Sequence, residues 1–67
     1  MPYRQIEDLP DSVKEHLPQH AQEIFRAAFN SAVEQYGEEE HAFRVAWSAV
    51  KRDYEKGDDG KWHKKPE

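Results

Sequence analysis

Apolar residues recur at intervals of three and four through the middle of the chain. The stripe consists of Ala21, Ile24, Phe25, Ala28, Phe29, Ala32, Val33 and Tyr36. This spacing predicts a long helix with one buried face that starts at Pro18. Gly37 follows the last stripe residue, where a left-handed glycine would end the helix. We therefore expect the rings of Phe25, Phe29 and Tyr36 to lie in the core.

A second amphipathic stretch predicts a helix from Glu39 to Lys56. Its apolar positions fill an arc of roughly 200°, which is wider than contact with a single neighbour requires. They are Ala42, Phe43, Val45, Ala46, Trp47, Ala49, Val50 and Tyr54. The arc predicts contact with the first long helix on one side and with the terminal segments on the other. Glutamates at 38–40 suit the positive end of the helix dipole, and Gly57 is the expected stop.

Two leucine–proline steps punctuate the region before the long helices. Because proline disfavours helical backbone in the residue before it, Leu9 and Leu17 should lie at breaks. The pattern predicts a short helix over residues 11–16 and a bend at Leu17. Leu9, Val13 and Leu17 fall on one side and should pack on the first long helix.

The chain closes with a turn sequence, residues 57–60, and a cationic segment, residues 61–65. Tyr3 and Trp62 stand near opposite ends, which suggests that residues 2–6 and 60–64 pair as a two-stranded patch beneath the second long helix. A flexible tail over residues 61–67 is the alternative. The predicted fold is mainly α, a single domain of residues 1–67 with three helices (short, long, long) and this patch formed by the termini.

Composition narrows the function classes. The chain has 67 residues and no cysteine, which excludes thiolate catalysis and cysteine-ligated zinc. The first residues lack an apolar run and no stretch approaches the ~18 apolar residues of a membrane span, so we expect a cytoplasmic protein without a signal peptide. The net charge of −4 disfavours general nucleic-acid binding.

Candidate chemistry is sparse. His16 and His20 have a spacing that suits metal ligands on one helix, but Pro18 lies between them and should interrupt that helix. No serine lies in a glycine-rich nucleophile turn. We therefore predict no enzyme activity, no catalytic residues, no cofactor and no metal site.

The strongest candidate for binding is the cationic segment with its tryptophan: Lys61, Trp62, His63, Lys64 and Lys65. A tryptophan between lysines is suited to anchoring a partner. The alternative is that Trp62 folds back as a lid on the core while the lysines keep the segment solvated. Arg26, Asn30 and Glu34 lie on the predicted exposed face of the first long helix and are candidates for a polar rim.

An ordered series of short motifs resembles the ChaB family of small bacterial proteins, which are described as regulators of cation transport. The motifs are Met1-Pro2-Tyr3, Asp8-Leu9-Pro10, Val13-Lys14, Leu17-Pro18, His20-Ala21-Gln22, Ala28-Phe29-Asn30, Ala46-Trp47, Val50-Lys51, Lys56-Gly57-Asp58-Asp59 and Lys61-Trp62-His63-Lys64-Lys65. The resemblance implies three helices with a small sheet, and regulation of a sodium or calcium/proton antiporter. It offers no catalytic residues. Some members carry a longer charged segment between the long helices, where this chain has only Gly37 to Glu40.

Three functional hypotheses result. The first is a non-enzymatic, cytoplasmic, monomeric interaction domain whose protein partner is the cytosolic face of a membrane cation antiporter. The second is a nucleic-acid accessory protein that uses residues 61–65, for which binding should be steeply salt-dependent. The third is a cation-responsive sensor, for which added cation should shift amide signals near His16, His20 or Asp58.

Overall fold

The fold, described by a computed structural model for residues 3–66, has three helices followed by a two-stranded hairpin. A single 3-10 turn, Ile6–Asp8, precedes the first helix. The elements are α1 (Asp11–Lys14), α2 (Gln19–Tyr36), α3 (Glu39–Asp53), β1 (Tyr54–Lys56) and β2 (Trp62–Lys64). The order short, long, long and the small antiparallel sheet confirm the predicted fold class. None of the helices within residues 3–66 is both long and apolar enough to cross a bilayer.

The core lies between α2 and α3, which pack as an antiparallel pair. Phe25 and Phe29 are fully buried, as the helical spacing of the stripe predicts. Gly37 ends α2 with φ of 75°, and its N–H donates to the carbonyl of Val33 at 2.8 Å. Because this left-handed residue reverses the chain at once, α3 returns along α2. The predicted end of the first long helix is confirmed.

The N-terminal third covers one side of this pair. Leu9, Val13 and Leu17 are all buried in the common core, which confirms their predicted packing. The bend at Leu17 is held by Gln22, whose Nε2 donates to the Leu17 carbonyl at 2.8 Å and to the Lys14 carbonyl at 3.3 Å.

The end of α3 differs from the prediction. The helix ends at Asp53 rather than at Lys56, and Tyr54 is extended with φ of −130° and ψ of 154°. Gly57 is therefore not a helix stop; its N–H donates to the carbonyl of Lys61 at 2.7 Å across the hairpin. The last helical turn is lost because residues 54–56 use their backbone groups to pair with β2.

The partner of the C-terminal strand also differs from the prediction. β2 pairs with β1, so the expected pairing of residues 2–6 with 60–64 is wrong for residues 3–6, and Pro2 lies outside the described residues. Closing the short loop of residues 57–61 costs less chain entropy than joining the two ends of the chain. The described N-terminal segment lies on α2 instead, with the Tyr3 ring 4.8 Å from that of Phe29.

Two further expectations meet the structure in different ways. Tyr36 is 59% exposed, so its predicted place in the core is wrong. It ends α2 where the chain turns away, and its ring instead contacts that of His41 at 4.4 Å between centroids. The flexible tail at residues 61–67 stays a prediction about motion: residues 62–64 form β2, and Glu67 lies outside the described residues.

Candidate functional site

The hairpin presents alternate side chains to opposite faces. Its register sets Tyr54 against Lys64 and Lys56 against Trp62. Because side chains alternate along a strand, these four share one face and His63 lies on the other. Tyr54 is buried and Trp62 half-buried, so the shared face is the one that faces the helices.

Trp62 connects the hairpin to the rest of the molecule. Its indole lies 5.4 Å from that of Trp47 between ring centroids, and its backbone N–H donates to the His16 carbonyl at 2.9 Å. Trp47 in turn contacts the core ring of Phe25 edge-on at 5.1 Å. This placement confirms that Trp62 folds back on the core. Part of both indoles remains exposed, so the pair also forms surface.

The turn of the hairpin is held by one carboxylate. The Lys61 backbone N–H donates to Oδ1 of Asp59 at 3.0 Å, and Nε2 of His63 lies 3.2 Å from the same oxygen. The Lys61 N–H first, and then the His63 side chain, hold the pKa of Asp59 below its usual value. Gly57 packs beneath this pair, since a Cβ there would lie 2.7 Å from Cδ2 of His63. The sequence-predicted His63 therefore supports the turn.

The residues predicted as a rim on α2 have separate fates. Asn30 is half-buried: its Oδ1 accepts the Tyr3 N–H and its Nδ2 donates to the Tyr3 carbonyl, both at 2.8 Å. Arg26 is also half-buried, with Nη1 at 3.5 Å from the Arg4 carbonyl. The expected exposure of Asn30 and Arg26 is wrong because the N-terminal segment lies over them. Glu34 is exposed as expected.

Two open depressions flank the Trp62 side chain. The larger, about 550 Å³, is lined by Glu15 and Tyr54 and by the sequence-predicted Lys61, His63 and Lys64. The smaller, about 320 Å³, lies beside the two indoles. It is lined by Ser12, His16, Trp47, Lys51, Lys56, Gly60 and Trp62.

Sequence reasoning missed Trp47, Lys51 and Lys56 as members of the candidate site. The apolar arc assigns Trp47 to the core, and both lysines lie outside the cationic segment of residues 61–65. A signal was present, since Trp47 stands at the edge of the apolar arc of α3 with Lys51 one turn later. The sequence therefore predicts the part of the site formed by Lys61, Trp62, His63 and Lys64. It does not predict the residues of α3 and β1 that lie next to the Trp62 side chain.

Charge is distributed unevenly along the molecule. Residues 51–65 contain four acidic residues but six of the ten lysines and arginines of the chain. These six are Lys51, Arg52, Lys56, Lys61, Lys64 and Lys65. Within residues 3–66 none of these six side chains forms an ion pair or a side-chain hydrogen bond. Glutamates 38–40 lie at the other end of α3. The hairpin end is thus locally cationic in an acidic chain.

The histidines have local partners. His16 Nδ1 lies 2.6 Å from the Ser12 carbonyl, and His20 Nδ1 lies 3.8 Å from a carboxylate oxygen of Glu23. In the part of the chain that the structure describes, no three histidine, aspartate or glutamate side chains meet as they would around a metal ion.

Comparison with known proteins gives a consistent result. The family model named ChaB matches residues 9–65. Proteins named "Putative cation transport regulator ChaB" from Escherichia coli K12 and Shigella flexneri are each 55% identical over 75 positions, covering 97% of this chain and 99% of theirs. A solution NMR structure, described as that of "the putative cation transport regulator ChaB", superimposes with a TM-score of 0.89 at 53% identity, covering 97% of this chain and all of the other. The chain therefore belongs to the ChaB family.

Proposed function

We propose that this chain is a non-enzymatic, monomeric interaction domain that regulates cation transport in the bacterial cytoplasm. The regulatory role comes from the names of relatives that match over nearly their whole length. The binding role rests on one observation, the half-buried Trp62 at a locally cationic end whose ammonium groups have no partner within residues 3–66. A large aromatic surface ringed by charge is typical of the centre of a protein interface.

The partner that fits this surface is the cytosolic face of a membrane cation antiporter. Lys61, Lys64 and Lys65 would attract acidic loops of that protein and raise the association rate. Trp62 would supply the apolar contact, and His63 would keep the turn in shape through Asp59. Of the three residues predicted as a polar rim on α2, only Glu34 stays available to a partner, because Arg26 and Asn30 bind the N-terminal segment.

The test uses a purified cation/proton antiporter of the host bacterium in proteoliposomes. We expect the intact chain to bind these vesicles and to change the rate of cation-driven proton movement. A Lys61→Gln/Lys64→Gln variant should bind more weakly. An Arg4→Gln/Arg44→Gln variant, which removes two cations outside the hairpin, is the matched control and should behave as the intact chain. Equal loss in both variants, or no effect of the intact chain on transport, would refute the proposal.

The same cationic end keeps the nucleic-acid hypothesis open to measurement. If the hairpin bound single strands, affinity for an oligonucleotide should fall steeply with salt and should require Lys61 and Lys64. Binding of the oligonucleotide at physiological salt, with no binding to the antiporter vesicles, would replace the proposed function with that alternative.

A further inference from the structure

We infer that the smaller depression, which Trp47 and Trp62 line, binds an acidic peptide segment with an aromatic residue beside its carboxylates. This inference deepens the proposed function, on which it rests, by naming the chemistry of the partner segment. The depression has a volume of about 320 Å³, close to the lower limit of about 300 Å³ for ligand pockets. It therefore suits one inserted side chain rather than a large ligand.

Its walls come from three separate elements. Ser12 and His16 belong to α1 and the turn after it, Trp47 and Lys51 to α3, and the remaining wall to the hairpin. The indole rings of Trp47 and Trp62 are inclined at 31° to each other. Their exposed parts offer flat apolar surface, against which an aromatic ring packs favourably.

Each indole has a lysine beside it. Lys51 follows Trp47 by one helical turn, and Lys56 stands directly opposite Trp62 across the hairpin. Neither ammonium group has an ion-pair partner within residues 3–66. Two cations at the edge of an apolar surface favour a ring flanked by carboxylates, which form charge-assisted hydrogen bonds with ammonium groups.

The absence of acidic lining residues separates this depression from its larger neighbour. Among the described residues that line it, none is aspartate or glutamate. The larger depression has Glu15 in its wall beside Lys61 and Lys64, so its excess of positive charge is smaller and it attracts an acidic segment less strongly. The smaller depression is therefore the better site for the acidic segment.

The site is held in shape before a ligand arrives. The His16 carbonyl accepts the Trp62 N–H at 2.9 Å, which fixes the hairpin wall to the turn after α1. His16 Nδ1 lies 2.6 Å from the Ser12 carbonyl, and because a carbonyl only accepts, Nδ1 carries the proton. Little ordering is then needed on binding, which favours affinity.

The experiment titrates the full chain with a pentapeptide in which phenylalanine stands between two pairs of acidic residues. Two-dimensional NMR follows the indole N–H signals of Trp47 and Trp62. Two companion peptides replace the phenylalanine by alanine or the acids by their amides. We expect both indole signals to shift with the first peptide, and about tenfold weaker binding of each companion.

Two variants locate the binding. Lys51→Gln/Lys56→Gln should weaken binding of the acidic peptide by about tenfold, since two charge pairs are lost. Lys61→Gln/Lys65→Gln removes as many cations from the same end without touching the depression, and should change affinity less than twofold. All four lysines are exposed, so the amide spectrum should show both variants folded.

The outcomes separate this inference from the proposed function. Equal loss in the two variants, unmoved indole signals, or tighter binding of an oligothymidylate than of the peptide would overturn the inference. The antiporter binding proposed above could still hold, through the larger depression or through Lys61, Lys64 and Lys65. Conversely, peptide binding at the depression with no effect on antiporter vesicles would support the inferred peptide site and refute the proposed function.

Discussion

Replacement of Phe29 by alanine is the most direct test of the core. The side chain is fully buried on α2. Its ring lies 4.8 Å from the rings of both Tyr3 and Phe43 and 6.3 Å from that of Phe25, between centroids. The substitution therefore removes the ring that joins the N-terminal segment to both long helices.

The expected loss is large compared with the stability of so small a domain. Phenylalanine-to-alanine changes in cores cost about 3–5 kcal/mol, and the three ring contacts at Phe29 favour the upper half of that range. A chain of 67 residues is stabilised by roughly 3–10 kcal/mol at typical values per residue. We therefore expect Phe29→Ala to remove at least a third of the free energy of unfolding and to leave a substantial unfolded fraction at the lower limit of stability.

Urea unfolding followed by far-ultraviolet circular dichroism measures the effect. Gln35→Ala, at an exposed position of the same helix, is the control and should change the free energy of unfolding by less than about 0.5 kcal/mol. A loss below about 1 kcal/mol for Phe29→Ala, with an unchanged slope against urea, would refute the assignment of this ring to the centre of the core.

Three further predictions concern the N-terminal segment, the end of α2 and the turn of the hairpin. Asn30→Ala should leave the long helices intact but speed amide exchange at Tyr3, whose N–H and carbonyl both lose a partner; unchanged exchange would contradict the clamp. Gly37→Ala should lower the free energy of unfolding in urea by about 1 kcal/mol, because φ of 75° disfavours a side chain, and an equal midpoint would argue against that backbone. Because the pKa of Asp59 is lowered on folding, its contribution to stability is present above the unfolded carboxyl pKa of about 3.9 and lost as pH falls through the lower folded pKa. A pH titration followed by carboxyl-carbon NMR should give Asp59 a midpoint below that unfolded value, and a midpoint at or above it would contradict the turn contacts.

The helices could be predicted because a single period explains their burial. From Ala21 to Ala32 the fully buried positions recur at three and four, and Gly37 stops the helix where a left-handed residue is needed. Tyr36 satisfies the same period, but at the end of the helix pair its ring contacts only the His41 ring of α3 among the described aromatic contacts and stays 59% exposed. Periodicity indicates which face is apolar and does not show how completely the rest of the chain covers each position on it.

The hairpin could be predicted only in part, because Tyr54 satisfies two patterns. It continues the apolar arc of α3 in a helix and faces the core equally well in a strand, where it is 4% exposed. The turn at 57–60 was visible, but the partner strand was not. Two three-residue strands joined by a glycine-bearing loop of five residues are a hairpin signal that the pairing of Tyr3 with Trp62 obscured.

Only half of the candidate site could be predicted from the sequence, for a related reason. Lysines around Trp62 attract notice in the linear sequence, whereas Trp47 and Lys51 read as an ordinary edge of a buried helix. The two indoles meet because β2 folds back on β1 and because the Trp62 backbone N–H donates to the His16 carbonyl, a contact that spans 46 positions along the chain, from 16 to 62. Sequence periodicity carries no record of so distant a contact.

The adjacency of the two indoles determines which part of this protein tryptophan fluorescence reports on. The chain has only two tryptophans, and they lie 5.4 Å apart at the junction of α3 and the hairpin. Emission from the protein therefore senses one small region, and excitation energy passes readily between the rings. A change in that emission reports whether the hairpin is packed on the helices, and it depends little on the other end of α3, where glutamates 38–40 lie. An unfolding transition seen by emission before the one seen by helicity would thus reveal the hairpin detaching first.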